Sequence, residues 1–191
     1  MPTVIVVTGT PGTGKTTFAR ELAKTIGANY VNVTQHVSKR KLFSGIDRER
    51  RTMIVNLPKA RASLKRELGT MRVLNVVDTH IPEEILPREL VKKVFVLRCH
   101  PRILESRLRG KRWKASKIRE NALAEIIDSC LSEAVKHFGW RKVIQIDTSC
   151  RKVRSCVASA KRSISGEPAK EIKIDWISKL EQEGLLDRYL K

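Results

Sequence analysis

Near its amino end the chain carries the nonapeptide GTPGTGKTT, at residues 9–17. Its spacing fits G-x-x-x-x-G-K-[ST], a loop whose backbone N–H groups surround phosphate oxygens. In such a loop Lys15 meets the outer phosphates and the Thr16 hydroxyl lies on magnesium. Three glycines and a proline within nine residues exclude the interior of a helix or strand, so the segment must be a turn. The pattern predicts a site for a nucleoside triphosphate with Mg²⁺.

The segments on either side of this loop support the prediction. The apolar run VIVV before it is typical of a buried strand, and Phe18, Leu22 and Ile26 after it recur every four residues, as on one helix face. Gly27 fits the end of that helix. A helix beginning here points its free N–H groups and positive dipole end at a bound anion. The alternative is a glycine-rich turn with a solvated lysine.

A second set of polar residues follows the apolar run of VLNVVDTH. Asp78 stands where this strand should end, and a phosphate loop needs such a carboxylate to order magnesium and its waters. Capping of a following helix is the alternative role, because Pro82 resembles a first helical turn. If water is the acceptor of the phosphoryl group, His80 would orient it near the γ-phosphate. A nucleoside monophosphate acceptor needs no such residue, because its phosphate is already largely dianionic. Simple packing after the strand is the alternative for His80.

Phosphoryl transfer also needs cations that close over the triphosphate and exclude water. A short lid between two predicted helices supplies such cations. They are Arg107, Arg109, Lys111 and Arg112, followed by Trp113. We expect at least one of them to contact phosphate, the others being solvated or bound to RNA.

Composition narrows the class of protein. The 191 residues suffice for one well-filled domain, and 39 basic against 20 acidic residues give a net charge of +19. This charge predicts a polyanionic partner, although solvated helix faces account for part of it. No secretory leader or run of about 18 apolar residues is evident, so we expect a soluble, cytoplasmic protein with no membrane contact. The four cysteines lack zinc or disulfide spacing and are predicted to be structural thiols, with Cys150 and Cys156 in one helix.

Short apolar strands alternate with helical segments, which predicts an α/β fold with a parallel sheet covered on both faces. The predicted strands are residues 4–8, 30–33, 73–77, 94–97 and 143–146. Residues 48–68 predict a largely helical insertion, with Pro58 as a break or a new start. A four-residue repeat of apolar positions over 116–138 predicts one long core helix. Residues 166–191 predict a linker and a closing amphipathic helix.

Together, GTPGTGKTT, YVNV, VDTH, VFVLR and RLRGKRWKASKIRENALAEI resemble the adenylate kinase isoenzyme 6 family, P-loop proteins linked to maturation of the small ribosomal subunit. The likeness covers about residues 4–150, and the later IDWI resembles an archaeal form. It implies a three-layer P-loop nucleoside-monophosphate-kinase fold with a five-stranded parallel sheet. It also implies adenylate kinase activity (ATP + AMP to 2 ADP), ATPase activity and Mg²⁺ with ATP. The implied partner is a ribosomal protein of the small-subunit platform, and we expect the basic surface to attract rRNA or a pre-ribosomal particle.

The resemblance assigns roles by position. Lys15, Asp78 and His80 are the implied catalytic residues. Magnesium is expected to bind Thr16 directly and Asp78 through water. The residues implied to bind ATP are Gly12, Thr13, Gly14, Lys15, Thr16, Thr17, Arg109, Lys111 and Arg112. The expected units are residues 1–165, with a monophosphate-binding insertion at about 32–67 and a lid at about 107–117, and an appendage of residues 166–191.

The chain departs from the family pattern mainly on the AMP side. Gln35 and Ser38 stand where the family usually has an acid and, three residues on, an arginine, and Asn56 replaces an expected acid. In the lid, residues 111–113 read Lys-Arg-Trp where the family has Arg-Gly-aromatic. These changes favour ATPase activity in ribosome assembly over efficient adenylate kinase activity. One alternative is a metabolic small-molecule kinase with no ribosomal role. The other is a non-enzymatic chaperone of RNA or ribosomal protein, in which bound nucleotide only holds the protein in one conformation.

Overall fold

The computed structural model describes residues 4–47, 52–70, 73–167 and 173–190. Its strands are β1 (Val4–Gly9), β2 (Asn29–Asn32), β3 (Phe43–Asp47), β4 (Thr52–Val55), β5 (Asn75–Asp78), β6 (Val91–Arg98) and β7 (Val143–Asp147). Its α-helices are α1 (Lys15–Ile26), α2 (Val33–Lys39), α3 (Leu57–Thr70), α4 (Pro82–Ile85), α5 (Pro101–Gly110), α6 (Ala115–Ile126), α7 (Ser129–Phe138), α8 (Val153–Ile164), α9 (Trp176–Gln182) and α10 (Leu186–Leu190). Short 3₁₀ turns, Arg88–Leu90 and Trp140–Lys142, precede β6 and β7.

Five parallel strands form the central sheet in the order β2-β5-β1-β6-β7, which confirms the predicted α/β fold. β1 is buried along its whole length between β5 and β6. Its residue Val7 pairs with Asp78, and Gly9 pairs with Leu97. The carboxyl ends of the three central strands therefore meet beside the loop that follows β1.

Helices cover both faces of this sheet. Successive residues of β1 point to opposite sides, as in any strand. Val6 packs in a core with Leu64 of α3 and Leu131 of α7, whereas Val7 packs with Leu22 of α1 and residues of α8. Burial on both faces explains the continuous β-branched run VIVV. Among the described residues, no helix is long and apolar enough to cross a membrane.

The insertion between β2 and β5 differs from the largely helical prediction. β3 and β4 form an antiparallel hairpin in which Ile46 lies opposite Met53, and α3 begins after it. The β-branched pair Ile54 and Val55 favours a strand once β3 offers a partner. Pro58 lies in the first turn of α3, where its missing N–H costs little, so it starts a helix rather than breaking one. Residues 48–51 of that prediction lie outside the described residues.

The predicted continuous helix over residues 116–138 is wrong, because α6 and α7 are separate helices. Asp128 between them has a left-handed φ of 59°. Arg98 stabilises the break by donating to the backbone oxygen of Glu125 at 3.0 Å and to the Asp128 carboxylate. Both helices carry buried residues, so the apolar repeat continues across the break and does not reveal it.

Two further expectations differ from the structure. Cys150 precedes α8 and is exposed, whereas Cys156 lies within α8 and is buried, so the prediction of one shared helix is wrong. All four cysteines are free, and burial raises the pKa of Cys99 to about 11, which fits structural thiols. The described part of the carboxyl-terminal segment forms two short helices, α9 and α10, where the sequence predicts one.

Candidate functional site

The turn between β1 and α1 depends on its glycines. Gly9 has a φ of 135°, and Gly12 and Gly14 each have 95°, a region that residues with a Cβ atom rarely adopt. A Cβ atom on Gly9 would lie 2.4 Å from the backbone oxygen of Leu97. At Gly12 a Cβ atom would lie 2.8 Å from the Leu104 side chain. Close approach and backbone conformation together account for the spacing of the motif.

The amino end of α1 opens onto this turn. The helix begins at Lys15, and its N-cap residue is Gly14, which has no side chain to accept the first N–H groups. The first N–H groups of any helix lack intrahelical acceptors, and the macrodipole places positive charge beside them. This arrangement of turn and helix has the chemistry that suits a bound anion such as phosphate.

Lys15 lies along the turn. Its Nζ donates to the backbone oxygens of Gly9 at 2.7 Å and Thr10 at 3.1 Å. Burial lowers the pKa of Lys15, and the nearby Cys130 and Asp78 partly oppose this effect. The ammonium group is thus held at the position from which it can turn towards a phosphate.

Asp78 is a buried carboxylate, 3% exposed, at the end of β5. Its Oδ2 accepts hydrogen bonds from Thr16 Oγ1 at 2.8 Å, Asn32 Nδ2 at 2.8 Å and Tyr30 OH at 3.1 Å. Ile81, not Asp78, is the N-cap of α4, so the structure does not support the capping alternative. Tyr30 and Asn32 are partners that the motif YVNV contains but whose contact with Asp78 the sequence did not reveal.

The hydroxyl of Thr16 and the carboxylate of Asp78 fit a magnesium ion that arrives with a nucleotide. Both supply oxygen atoms, which this hard cation prefers, and they lie within one hydrogen bond of each other. In the described part of the chain, no group of three or more His, Cys, Asp or Glu side chains could hold a metal. A cation here would therefore take most of its ligands from phosphates and water, as Mg²⁺ usually does.

His80 lies two residues beyond Asp78, on the same loop. The backbone N–H of Thr79 donates to the backbone oxygen of Val7 of β1 at 3.1 Å. This contact holds the loop beside the turn between β1 and α1, residues 9–14, to which we refer as the phosphate turn. The residue is exposed, yet the protein around the ring and the charge of Lys15 lower the pKa of His80. Its imidazole is therefore mainly neutral at neutral pH.

The lid cations divide into two groups. Lys111 lines a cavity beside the phosphate turn, and so does Arg107, whose Nη2 donates to the backbone oxygen of Thr148 at 2.6 Å. Arg109 instead faces Glu105, with 3.3 Å between Nη2 and Oε2, away from this cavity. Arg112 lies on the exposed turn after α5, with a φ of 57°, and does not line the cavity either.

This first cavity has a volume of about 340 Å³, within the range of small-molecule sites. Phosphate-turn residues form one wall, and apolar and basic residues complete it. The lining comprises Gly12, Thr13, Gly14, Thr17, Phe18, Arg107, Lys111, Thr148, Arg151, Val153 and Cys156. The sequence did not indicate that Arg151, just before α8, lines this cavity, because its place there depends on the packing of α8 on α1.

A second cavity, of about 200 Å³, lies beside β2 and α2. Gln35 lines it together with Lys39 and Arg40, which provide positive charge near the place where the family resemblance implies an arginine. Arg40 donates to Glu67 at 2.7 Å, and that carboxylate also lies 3.2 Å from His36. Asn56 lies at the start of α3, where its Oδ1 accepts the backbone N–H of Lys59 at 3.2 Å.

A buried carboxylate that the sequence did not single out supports the phosphate turn. Glu125 of α6 is 2% exposed and accepts a hydrogen bond from Thr10 Oγ1 at 2.5 Å. Its Oε1 accepts from Arg98 Nε at 2.8 Å, from the backbone N–H of Cys99 at 3.0 Å and from Trp176 Nε1 at 2.9 Å. One side chain thus connects the turn, the end of β6 and the carboxyl-terminal segment.

Known proteins share this sequence pattern. The family model AAA_18, described as "AAA domain", matches residues 5–128. A Methanocaldococcus jannaschii protein named "Putative adenylate kinase" is 31% identical over 175 residues, which are 92% of this chain and 93% of that protein. A Pyrococcus abyssi protein of the same name is 36% identical over 146 residues, or 76% of this chain and 75% of that protein.

Solved structures share the fold. Shikimate kinase from Acinetobacter baumannii, in complex with shikimate, superimposes with a TM-score of 0.60 at 17% identity and covers 85% of this chain and 93% of that one. Shikimate kinase from Bacteroides thetaiotaomicron superimposes with a TM-score of 0.57 at 16% identity, and the match covers 85% of this chain and 98% of that one. These likenesses concern the fold, and they confirm the predicted P-loop kinase architecture.

Proposed function

Because the chain belongs to the AAA_18 family of AAA domains, we propose that it is an adenylate kinase and ATPase, which transfers the γ-phosphoryl group of Mg·ATP to AMP or to water. The name of the archaeal relatives supports the first activity, since the similarity to one of them extends along most of both chains. The phosphotransferase unit would be residues 1–165, with its AMP-binding insertion at about 32–67 and its lid at about 107–117. Residues 166–191 would form an appendage to it.

The 2.8 Å hydrogen bond between Thr16 and Asp78 is the observation on which this proposal depends most. It brings together the two oxygen ligands that a magnesium–nucleotide complex needs. It also lies between two cavities, because Asp78 contacts Tyr30 and Asn32 of the second cavity, and Thr16 adjoins Thr17 of the first. A donor nucleotide in the first cavity would therefore direct its γ-phosphate towards an acceptor in the second.

The residues of the site would act mainly by positioning and by charge. N–H groups of the turn, with Lys15, would hold the β- and γ-phosphates, and Thr16 and Asp78 would hold the magnesium, the latter through water. The bound cation would neutralise charge that develops on the phosphates. Lys111 lines the first cavity and would contact the nucleotide from the lid side. Of the other residues assigned to ATP, Gly12, Thr13, Gly14 and Thr17 line the same cavity, whereas Arg109 and Arg112 do not.

His80 would serve the reaction with water. A neutral imidazole accepts a hydrogen bond from water, orients it and stabilises charge that develops during attack on the γ-phosphate. The phosphate of AMP needs no such help because it is already largely dianionic. We therefore assign His80 to hydrolysis and leave transfer to AMP dependent on positioning alone.

The acceptor cavity favours hydrolysis over efficient AMP phosphorylation. Its cation Arg40 is engaged by Glu67, so an AMP phosphate would compete with a carboxylate for that guanidinium. Lys39 is a second cation on the same cavity wall. Weak AMP binding would leave water as the more frequent acceptor.

We further propose that the protein acts as an assembly factor in maturation of the small ribosomal subunit, with rRNA and a platform ribosomal protein as partners. The net charge of +19 supports a polyanionic partner, and affinity for rRNA should fall steeply with salt. The alternative is a metabolic kinase for small molecules or nucleoside monophosphates with no ribosomal role, for which this charge has no evident use.

Product analysis tests the proposal. The full chain is incubated with Mg·ATP alone, with AMP, and with pre-ribosomal RNA and the platform protein. We expect ADP and inorganic phosphate from ATP alone, additional ADP in the presence of AMP, and faster turnover with the ribosomal components. Absence of nucleotide turnover in all three mixtures would overturn the enzymatic assignment. If the rate of ATP turnover is the same with and without the ribosomal components, the metabolic alternative is favoured.

A further inference from the structure

An exposed tryptophan lies at the end of the sheet opposite the phosphate turn. Trp140 begins the 3₁₀ turn that leads into β7, and 65% of its surface is exposed. Trp176, by contrast, is only 2% exposed, and tryptophan is on average a highly buried residue. Since β7 has five residues, Trp140 lies about 17 Å or more from the carboxyl ends of the strands, where the nucleotide site is.

Basic residues follow Trp140 in the chain and lie in the adjoining turn before β6. Arg141 follows it and is exposed, and the Nζ of Lys142 donates to the backbone oxygen of Arg88 at 2.9 Å, which joins the turns before β6 and β7. The guanidinium of Arg88 lies against Gly139, where a Cβ atom would be 3.3 Å from its Nη2. We refer to Arg88, Trp140, Arg141 and Lys142 as the Trp140 patch. Lys92 and Lys136, each four residues along the chain from a member of the patch, are also exposed, and so is the acidic Glu89.

We propose that the Trp140 patch binds single-stranded nucleic acid. A base would stack on the indole ring of Trp140, and adjacent phosphates would pair with Arg88 and Arg141. Proteins that bind single strands combine these two features, an aromatic platform and basic residues that follow the backbone. That the nucleic acid is rRNA rests on the assembly role proposed above. The Trp140 patch would be the surface that holds an unpaired segment of this rRNA.

The neighbours of Trp140 favour this occupant over others. The chain neighbours of Trp140 and the adjoining Arg88 are cationic, whereas the centre of a protein–protein interface is usually depleted in charge. A second copy of the chain would itself carry a net charge of +19, and the two copies would repel each other. A polyanion with planar bases matches both the ring and the charges.

Binding of a fluorescein-labelled 12-residue oligouridylate to the full chain tests the proposal, because a uridine probe avoids the adenine of the nucleotide site. We expect Trp140→Ala to raise the Kd at least about fivefold, whereas Trp140→Phe, which keeps a stacking ring, changes it by less than about threefold. Arg141→Glu should raise the Kd at least about tenfold. Arg162→Glu, the same charge reversal on an exposed residue of α8, is the matched control and should have much less effect.

Tryptophan fluorescence provides a second readout. Quenching by the oligouridylate should occur in the wild type and be lost in Trp140→Phe, which retains Trp113 and Trp176. Both Trp140 variants should keep wild-type ATP turnover, because the patch is remote from the nucleotide site. Loss of turnover in Lys15→Ala with unchanged oligouridylate affinity would show the two sites to be independent.

Several results would overturn the proposal. The first is an unchanged Kd for the oligouridylate in Trp140→Ala. The second is an equal rise in Kd in Arg141→Glu and Arg162→Glu. The third is that the wild type binds duplex RNA of the same length more tightly than the oligouridylate. The second would mean that charge attracts RNA without a defined patch. Failure of the full chain to bind the probe would also reject this surface, and would leave the proposed nucleotide chemistry unaffected.

Discussion

Trp176 and Thr10 are joined through one carboxylate. The indole Nε1 of Trp176 donates to Oε1 of Glu125 at 2.9 Å, and the hydroxyl of Thr10 donates to Oε2 of the same side chain at 2.5 Å. Arg98 compensates the buried negative charge through its Nε, 2.8 Å from Oε1. A buried carboxylate is stable only with such partners. The carboxyl-terminal segment thereby contributes to the position of the phosphate turn.

Replacing Trp176 with Phe should therefore affect both stability and nucleotide binding. The ring would still pack, but Glu125 would lose one donor, so we expect the free energy of unfolding to fall by about 1–2 kcal/mol. The less restrained turn should raise the KM for ATP with little change in kcat. Urea denaturation and steady-state kinetics measure the two effects. Ile177→Ala, at an exposed neighbour, is the control, and an unchanged KM in Trp176→Phe would contradict the positioning role.

Lys15→Ala should abolish nucleotide turnover, because it removes the cation nearest the β- and γ-phosphates. We expect a loss of at least about 100-fold in kcat, measured as ADP release. Lys24→Ala is the control, since Lys24 lies exposed in the last turn of the same helix. Undiminished ATP consumption in Lys15→Ala would refute the site assignment.

Asp78→Asn tests the magnesium assignment. The amide keeps nearly the same shape and an oxygen acceptor for Thr16, but it lacks the charge that holds the cation. We expect the Mg²⁺ concentration for half-maximal turnover to rise at least about tenfold. ATP binding measured without Mg²⁺ should change much less. An unaltered Mg²⁺ dependence would assign Asp78 a purely structural role, through its contacts with Tyr30 and Asn32.

His80→Ala should depress ATP hydrolysis more than AMP phosphorylation. Because the pKa of His80 lies below the ordinary histidine value of 6.5, its ring is still mainly neutral when the pH falls from alkaline values to 6.5. Hydrolysis should therefore persist at pH 6.5 and decline only as the pH falls further and the ring gains a proton. This decline should be absent from the residual hydrolysis of His80→Ala. Equal losses in both reactions would remove the water-orienting role.

The sequence revealed features whose signals are local. The phosphate turn was recognisable because its glycines, lysine and threonine lie within nine residues, and Asp78 because a buried strand ends there. Asp128 could not be anticipated in the same way, since one left-handed residue leaves the apolar repeat intact. Glu125 was also missed, because its partners Thr10 and Trp176 are distant along the chain and meet it only after folding.

The contact between Trp176 and Glu125 has a consequence for biosynthesis. A chain emerges from the ribosome amino end first, and Glu125, Arg98 and every strand of the sheet precede Trp176. The nascent sheet can therefore form while the carboxylate has its guanidinium partner but no indole. The support of the phosphate turn is completed last, when translation has passed the whole nucleotide-binding core.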